Sequence, residues 1–173
     1  MAESIRILGI DPGSRLTGFG VIDCCGDTAS YVASGAVNSV KGEFPARLRI
    51  IFESMSEIVL KYHPDVVSVE SVFMHKNASS ALKLGQARSA AICATFSGQV
   101  EVVEYAPREI KQAVVGSGAA NKEQVQHMVS RLLRLEGTLS EDAADALATA
   151  LCHANQRRLV NQAGRAALVA GLK

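Results

Sequence analysis

The chain opens on apolar runs separated by turn residues, a spacing that predicts strands rather than helices. Residues 5–10 (IRILGI) are rich in β-branched side chains and end at Asp11-Pro12-Gly13-Ser14. Residues 18–23 (GFGVID) form a second such run, Gly26-Asp27 a turn, and residues 29–37 a third run. Connections this short predict antiparallel hairpins. The period then changes. Behind Pro45, the residues Leu48, Ile51, Phe52, Met55, Ile58 and Val59 recur at helical spacing, which puts one helix face on a core. Pro64 stops that helix. Residues 66–70 (VVSVE) are nearly all apolar and predict a central strand covered on both faces.

A loop over 71–77 leads to a small-residue helix over 78–96 and a fifth strand over 100–105. Pro107 suits the first turn of a short helix to about Val115, stopped by Gly116-Ser117-Gly118. Asn121 and Gln124 form a capping box for a helix to about Leu135, and Ser140 caps a last helix from Glu141 to about Asn155. The order β-β-β-α-β-α-β-α-α-α predicts an α/β fold. Three antiparallel strands come first, and the helix–strand alternation then adds parallel ones.

At 173 residues the chain is expected to be one domain over residues 1–155, followed by a basic, weakly patterned tail over 156–173. Ordinary composition, 48% hydrophobic and 20% charged, excludes disordered and collagen-like classes. Cys24, Cys25, Cys93 and Cys152 contain no CxxC pair. They are expected to be reduced and mostly buried thiols, with no zinc site. No apolar run reaches the roughly 18 residues of a membrane span. Glu3 and Arg6 argue against a signal peptide, so a cytoplasmic protein is expected. A net charge of +1 taken alone argues against nucleic acid as a partner.

Four acids sit where an acid is costly unless used. Asp11 directly follows an apolar strand, Glu70 ends VVSVE, and Asp142 and Asp145 interrupt an Ala/Leu-rich helix. Each alone has an ordinary explanation, as a turn, a strand end or compensation of a helix dipole. Together they form a different pattern. Residues three apart share a helix face, about 5–6 Å apart at Cβ, and like charges that close need compensation. Carboxylates suit hard cations such as Mg²⁺ or Mn²⁺. A two-metal site of that kind serves phosphodiester hydrolysis. Glu141 points elsewhere on the helix and is expected to be solvated.

Six segments then carry a family resemblance. Residues 8–20 read LGIDPGSRLTGFG, 69–73 VESVF, 80–88 SALKLGQAR, 113–118 AVVGSG, 124–129 QVQHMV and 141–148 EDAADALA. In this order and spacing the chain resembles the RuvC family of Holliday junction resolvases, over residues 7–153. The resemblance implies a ribonuclease H-like fold with a mixed five-stranded sheet and helices on both faces. It implies a homodimer acting on four-way junction DNA. Each subunit would make one Mg²⁺-dependent nick, leaving 5′-phosphate and 3′-hydroxyl ends. It also implies a branch-migration motor as a partner. The family's catalytic acids match Asp11, Glu70, Asp142 and Asp145, which are expected to hold two Mg²⁺ ions per subunit, with Mn²⁺ able to substitute. Asp11 is expected to stand between the two.

Several other residues are expected to meet DNA. Phe73, in the loop after Glu70, can stack on an unpaired base. Lys76, Lys83 and Arg88 lie in an acid-free stretch over 71–100, and Lys111 and Lys122 follow beyond it. Lys111 and Lys122 fall in family-matched segments, and either can stabilise transition-state charge. His127 is expected to pack in the core, and His75 lies nearest Glu70. The small-residue helix over 78–96 is the expected dimer interface.

Rival readings fail on specific features. An actin-like ATPase shares the Gly-Ile-Asp-x-Gly turn but needs two such domains. A ribonuclease H acting on RNA–DNA hybrids does not explain VESVF with SALKLGQAR. A non-catalytic junction-binding module would have lost an acid. The charge also looks different once the acids are assigned. Setting aside their −4 leaves +5 on the rest of the chain, and no acid follows Asp145.

Overall fold

The computed structural model describes residues 4–71 and 77–170, with residues 164–170 described by their helical backbone alone. Phe73, Lys76 and His75 lie outside the described residues. The strands are β1 (Ser4–Asp11), β2 (Leu16–Cys25), β3 (Thr28–Asn38), β4 (Val66–Glu70) and β5 (Glu101–Tyr105). The helices are α1 (Phe44–Tyr62), α2 (Ala78–Cys93), α3 (Pro107–Val115), α4 (Lys122–Leu132) and α5 (Glu141–Ala170). The strands form one sheet in the order β3-β2-β1-β4-β5. β1, β2 and β3 pair antiparallel, while β4 joins β1 and β5 joins β4 in parallel.

The two faces of the sheet follow from strand alternation. In β1, Ile5 and Ile7 enter one core with residues of α3, α4 and α5, while Leu8 and Ile10 enter the other with residues of α1 and α2. In β4, Val66 joins the first core, and Val67 and Val69 join the second. Both strands are therefore buried on both sides, as the apolar run VVSVE predicts. Period two then carries the parity onward. Asp11 falls with Ile5 and Ile7, and Glu70 with Val66, so both acids face the α5 side.

Local chemistry sets most boundaries. Pro45 and Pro107 occupy the first turns of α1 and α3. Asn121 accepts from the Gln124 amide at 2.9 Å while the Gln124 side chain accepts from the Asn121 amide at 2.9 Å, which completes the expected capping box. Gly116, at φ 80, ends α3 in a left-handed conformation.

Several expectations are corrected. The helix over 78–96 ends at Cys93, and a single 3-10 turn spans Phe96–Gly98. On α1 the buried stripe is Ile51, Met55 and Val59, and Phe52 stands 44% exposed on its flank. His127 is exposed because Val125 and Val129 occupy the buried stripe of α4. Two thiols are buried, Cys24 and Cys152, but Cys25 and Cys93 are exposed. The last helix does not stop near Asn155 and runs on to Ala170.

Candidate active site

β1 and β4 run parallel with Ile10 opposite Val69. The next residue on each strand is an acid, so Asp11 and Glu70 stand side by side where the strands leave the sheet. Glu70 is close enough to act on the Asp11 carboxyl, both through its charge and as acceptor of a hydrogen bond when Asp11 is protonated. Glu70 is in turn registered against Tyr105 of β5, and Ser71 donates from both its amide and its hydroxyl to the Tyr105 carbonyl, at 2.9 and 3.0 Å. The edge that carries the two acids is thereby fixed to its neighbour.

The other two acids come from α5, and glycines in the strands decide how near they lie. A Cβ at Gly9 would fall 2.0 Å from the Ala146 carbonyl oxygen. One at Gly18 would fall 2.1 Å from the Asp142 carbonyl oxygen, and one at Gly20 would fall 2.7 Å from the Leu147 side chain. α5 answers with small residues: Ala143, Ala144, Ala146, Ala148 and Ala150 are all buried. Helix backbone thus rests directly on strand backbone. This brings the first turn of α5, with Asp142 and Asp145, over the end of β1.

The electrostatics report that convergence. Burial pushes the Asp11 carboxyl up to about 8, and the charges of Glu70 and Asp145, the hydrogen bond that protonated Asp11 donates to Glu70 and the charge of Asp142 add to the effect. Burial also pushes Asp145 up to about 6, against the opposing pull of Lys122 and with further push from Glu70, Glu141 and Asp142. Four carboxylates on two strands and one helix therefore feel one another.

Among the described residues one cation stands at the site. Lys122, the first residue of α4, is ion-paired to Glu141 and lies 3.8 Å from an Asp145 carboxylate oxygen. The Glu141 hydrogen bond comes first among the causes that hold its ammonium above the usual lysine range, and the charges of Asp145, Glu141 and Asp11 contribute. Glu141 is thus more than a solvated surface acid, because it tethers Lys122 beside Asp145.

The donor set suits a hard divalent cation: oxygen donors only, with the charge of four carboxylates offset only in part, among the described residues, by the exposed Lys122. Among the described residues no three Asp, Glu, His or Cys side chains form a finished metal cage. The acids perturb one another's ionisation without closing on a common point. On donor chemistry Asp11, Glu70, Asp142 and Asp145 fit a divalent metal site.

The remaining candidate DNA contacts are placed as follows. Lys83 is exposed on α2 with its ammonium 5.9 Å from the centre of the Phe44 ring. Arg47 lies 5.7 Å from the same ring and donates to the Ser14 carbonyl, three residues past Asp11. Arg88 is 2.5 Å from Glu104 and only 19% exposed, so a phosphate would have to compete with that carboxylate. Lys111 is half-buried on α3.

Two arrangements were not expected from the sequence. Tyr105 Oη lies 2.8 Å from His153 Nδ1, which joins β5 to the middle of α5. Neither residue stands in a motif that signals the pair. Gly18 and Gly20, alternating within a strand, did carry a readable signal for close backbone approach.

The mixed sheet with two strand-end acids and two helix acids on one face defines a nuclease of the ribonuclease H-like class. The family model of the crossover junction endodeoxyribonuclease RuvC matches residues 7–153. The chain is 55% identical over 151 residues to the crossover junction endodeoxyribonuclease RuvC of Alkalilimnicola ehrlichii, covering 87% of this chain and 92% of that protein. It is 53% identical over 160 residues to that of Aeromonas hydrophila, covering 92% of each. Among solved structures it is similar to T. thermophilus RuvC in complex with a Holliday junction substrate. The TM-score is 0.83 at 34% identity, over 90% of this chain and 96% of that one. A yeast mitochondrial Holliday junction resolvase shares the fold, with a TM-score of 0.66 at 12% identity over 90% of this chain and 82% of that one. The chain belongs to the RuvC family of crossover junction endodeoxyribonucleases.

Proposed function

We propose that the chain resolves four-way DNA junctions as a homodimer, each subunit hydrolysing one phosphodiester with two Mg²⁺ ions held by Asp11, Glu70, Asp142 and Asp145. Mn²⁺ would serve in place of Mg²⁺. The observation that carries this reading is the convergence of those four carboxylates over one sheet edge in a chain of the RuvC family. Bound divalent ions would supply an activated water and neutralise charge at the departing 3′-oxygen, leaving 5′-phosphate and 3′-hydroxyl ends.

The protein's own part is positional. β1 and β4 hold Asp11 and Glu70 in parallel register, and the glycine-to-alanine packing seats Asp142 and Asp145 against them. Lys122 places one positive charge beside Asp145, where it can meet charge developing on a phosphate. Lys83 and Lys111 are proposed phosphate contacts. Phe73, Lys76 and Arg88 keep their proposed place at the DNA.

Symmetry supports the dimer. A four-way junction is close to two-fold symmetric, and paired nicks need two sites, which an isologous dimer supplies. α2 is the proposed interface, with Leu82 69% exposed on it and small residues along its length. A branch-migration motor is the proposed protein partner. Work on the chromosome puts the enzyme in the cytoplasm. Among the described residues no helix is long and apolar enough to cross a membrane.

The test is a comparison of substrates. With Mg²⁺ the protein should nick a four-way junction in paired positions, leaving plain duplex and RNA–DNA hybrid intact, and chelator should stop it. Preferential cutting of the hybrid would replace this reading with a ribonuclease one.

A further inference from the structure

α3 and the second half of α5 border an open groove of about 570 Å³ that no part of the catalytic site uses. Arg108 and Gln112 line it from α3, Gly118 from the turn that follows, and Asn155, Arg158 and Leu159 from α5. Two of its neutral side chains, Gln112 and Asn155, are already engaged, while Gln156 is exposed beside them. Gln112 Nε2 donates to the Gly116 carbonyl at 2.9 Å, and Gln112 Oε1 accepts from the Gly118 amide at 3.1 Å. Asn155 Nδ2 donates to the Ala113 carbonyl at 2.9 Å. The acid in the lining, Glu109, accepts from the Ala106 amide at 2.8 Å and so caps α3.

Two guanidinium groups remain. Arg108 and Arg158 are exposed, and among the described residues neither makes an ion pair or a side-chain hydrogen bond. They approach one groove from two different helices. Lys111 lies three residues on from Arg108, on the same side of α3. α5 carries no acid after Asp145. Planar guanidinium donors of this kind match phosphate oxygens.

We propose that this groove takes the phosphodiester backbone of a junction arm at a fixed distance from the crossover. The inference rests on the resolvase reading above and extends it to a second contact zone. α5 supplies the ruler. Asp142 and Arg158 are sixteen residues apart on one helix, which at about 1.5 Å per residue is about 24 Å. That is about seven base pairs at about 3.4 Å each.

The test uses four-way junctions with methylphosphonate linkages, which remove phosphate charge at chosen positions. Binding is measured in chelator so that no cleavage occurs. Neutral linkages at base pairs 6–9 of each arm should weaken wild-type binding about tenfold, and the same change at base pairs 13–16 should have no effect. The Arg108→Gln/Arg158→Gln double variant, whose changes are both on exposed side chains, should bind all three junctions equally. Its log–log salt slope should be smaller by about two. Wild-type affinity and slope in the double variant would overturn the proposal and leave the groove to an acidic protein segment. So would indifference of the wild-type protein to neutral linkages at base pairs 6–9. Failure of the wild-type protein to prefer junction over duplex would instead overturn the resolvase reading itself.

Discussion

Gly18 and Asp142 meet backbone to backbone: a methyl group at position 18 would lie 2.1 Å from the Asp142 carbonyl oxygen. This contact on β2, repeated on β1 between Gly9 and Ala146, lets α5 lie flat on the two strands beside Asp11. Gly18→Ala must lift the first turn of α5. It should cost about 1–3 kcal/mol of stability by overpacking and lower the nicking rate about a hundredfold or more, while junction binding persists. Thermal melting and single-turnover nicking read the two effects. A Gly18→Ala protein that nicks at the wild-type rate would show that the acids tolerate displacement.

Lys122 should matter to chemistry more than to folding, because it is exposed yet sits 3.8 Å from Asp145. Lys122→Gln should slow nicking about tenfold to a hundredfold with an unchanged melting temperature. Lys122→Arg should recover part of the loss. If the glutamine variant loses stability and activity in parallel, the lysine is only a strut for Glu141.

Metal-free protein should lose stability as pH rises. An unperturbed aspartate ionises near 3.9, whereas Asp11 is raised to about 8 and Asp145 to about 6 in the fold. Between those values the folded state keeps protons that the unfolded chain has released. The stabilisation from these two groups is full below about pH 4 and is lost as pH climbs through 6 and then 8. In chelator the urea midpoint should be lower at pH 8.5 than at pH 5.5, and added Mg²⁺ should narrow the gap. A higher midpoint at pH 8.5 in chelator would contradict the raised values.

Tyr105→Phe removes the hydroxyl 2.8 Å from His153 Nδ1 and leaves the ring in place. It should destabilise by about 1 kcal/mol, more than an exposed Tyr31→Phe change on β3, when both are compared in urea melts. An equal and negligible cost would mean that the bond does not hold β5 to α5.

Much of this was legible from residues in order. VVSVE and PREIKQAVV coincide with β4 and α3 as found, because an apolar run before a charged end, and a proline before a glycine stop, are local signals. The grouping of the four acids was legible because each breaks an apolar pattern, and the structure brings them near one another. The path of α5 past Asn155 was not. Residues 156–170 are basic and weakly patterned, yet good helix formers such as Ala, Gln and Arg keep the helix going. Glu141 is exposed as expected, but its ion pair was not legible, because Lys122 meets it only when α4 packs on α5. The pairing of Arg88 with Glu104 was hidden for the same reason.

The central claim is that the acids around Asp11 perform the cleavage. Asp11→Asn keeps the size of the side chain and removes its charge. With Mg²⁺ present, the purified variant should bind a four-way junction with wild-type affinity or better and produce no nicked product. Nicking at the wild-type rate by Asp11→Asn would contradict the account.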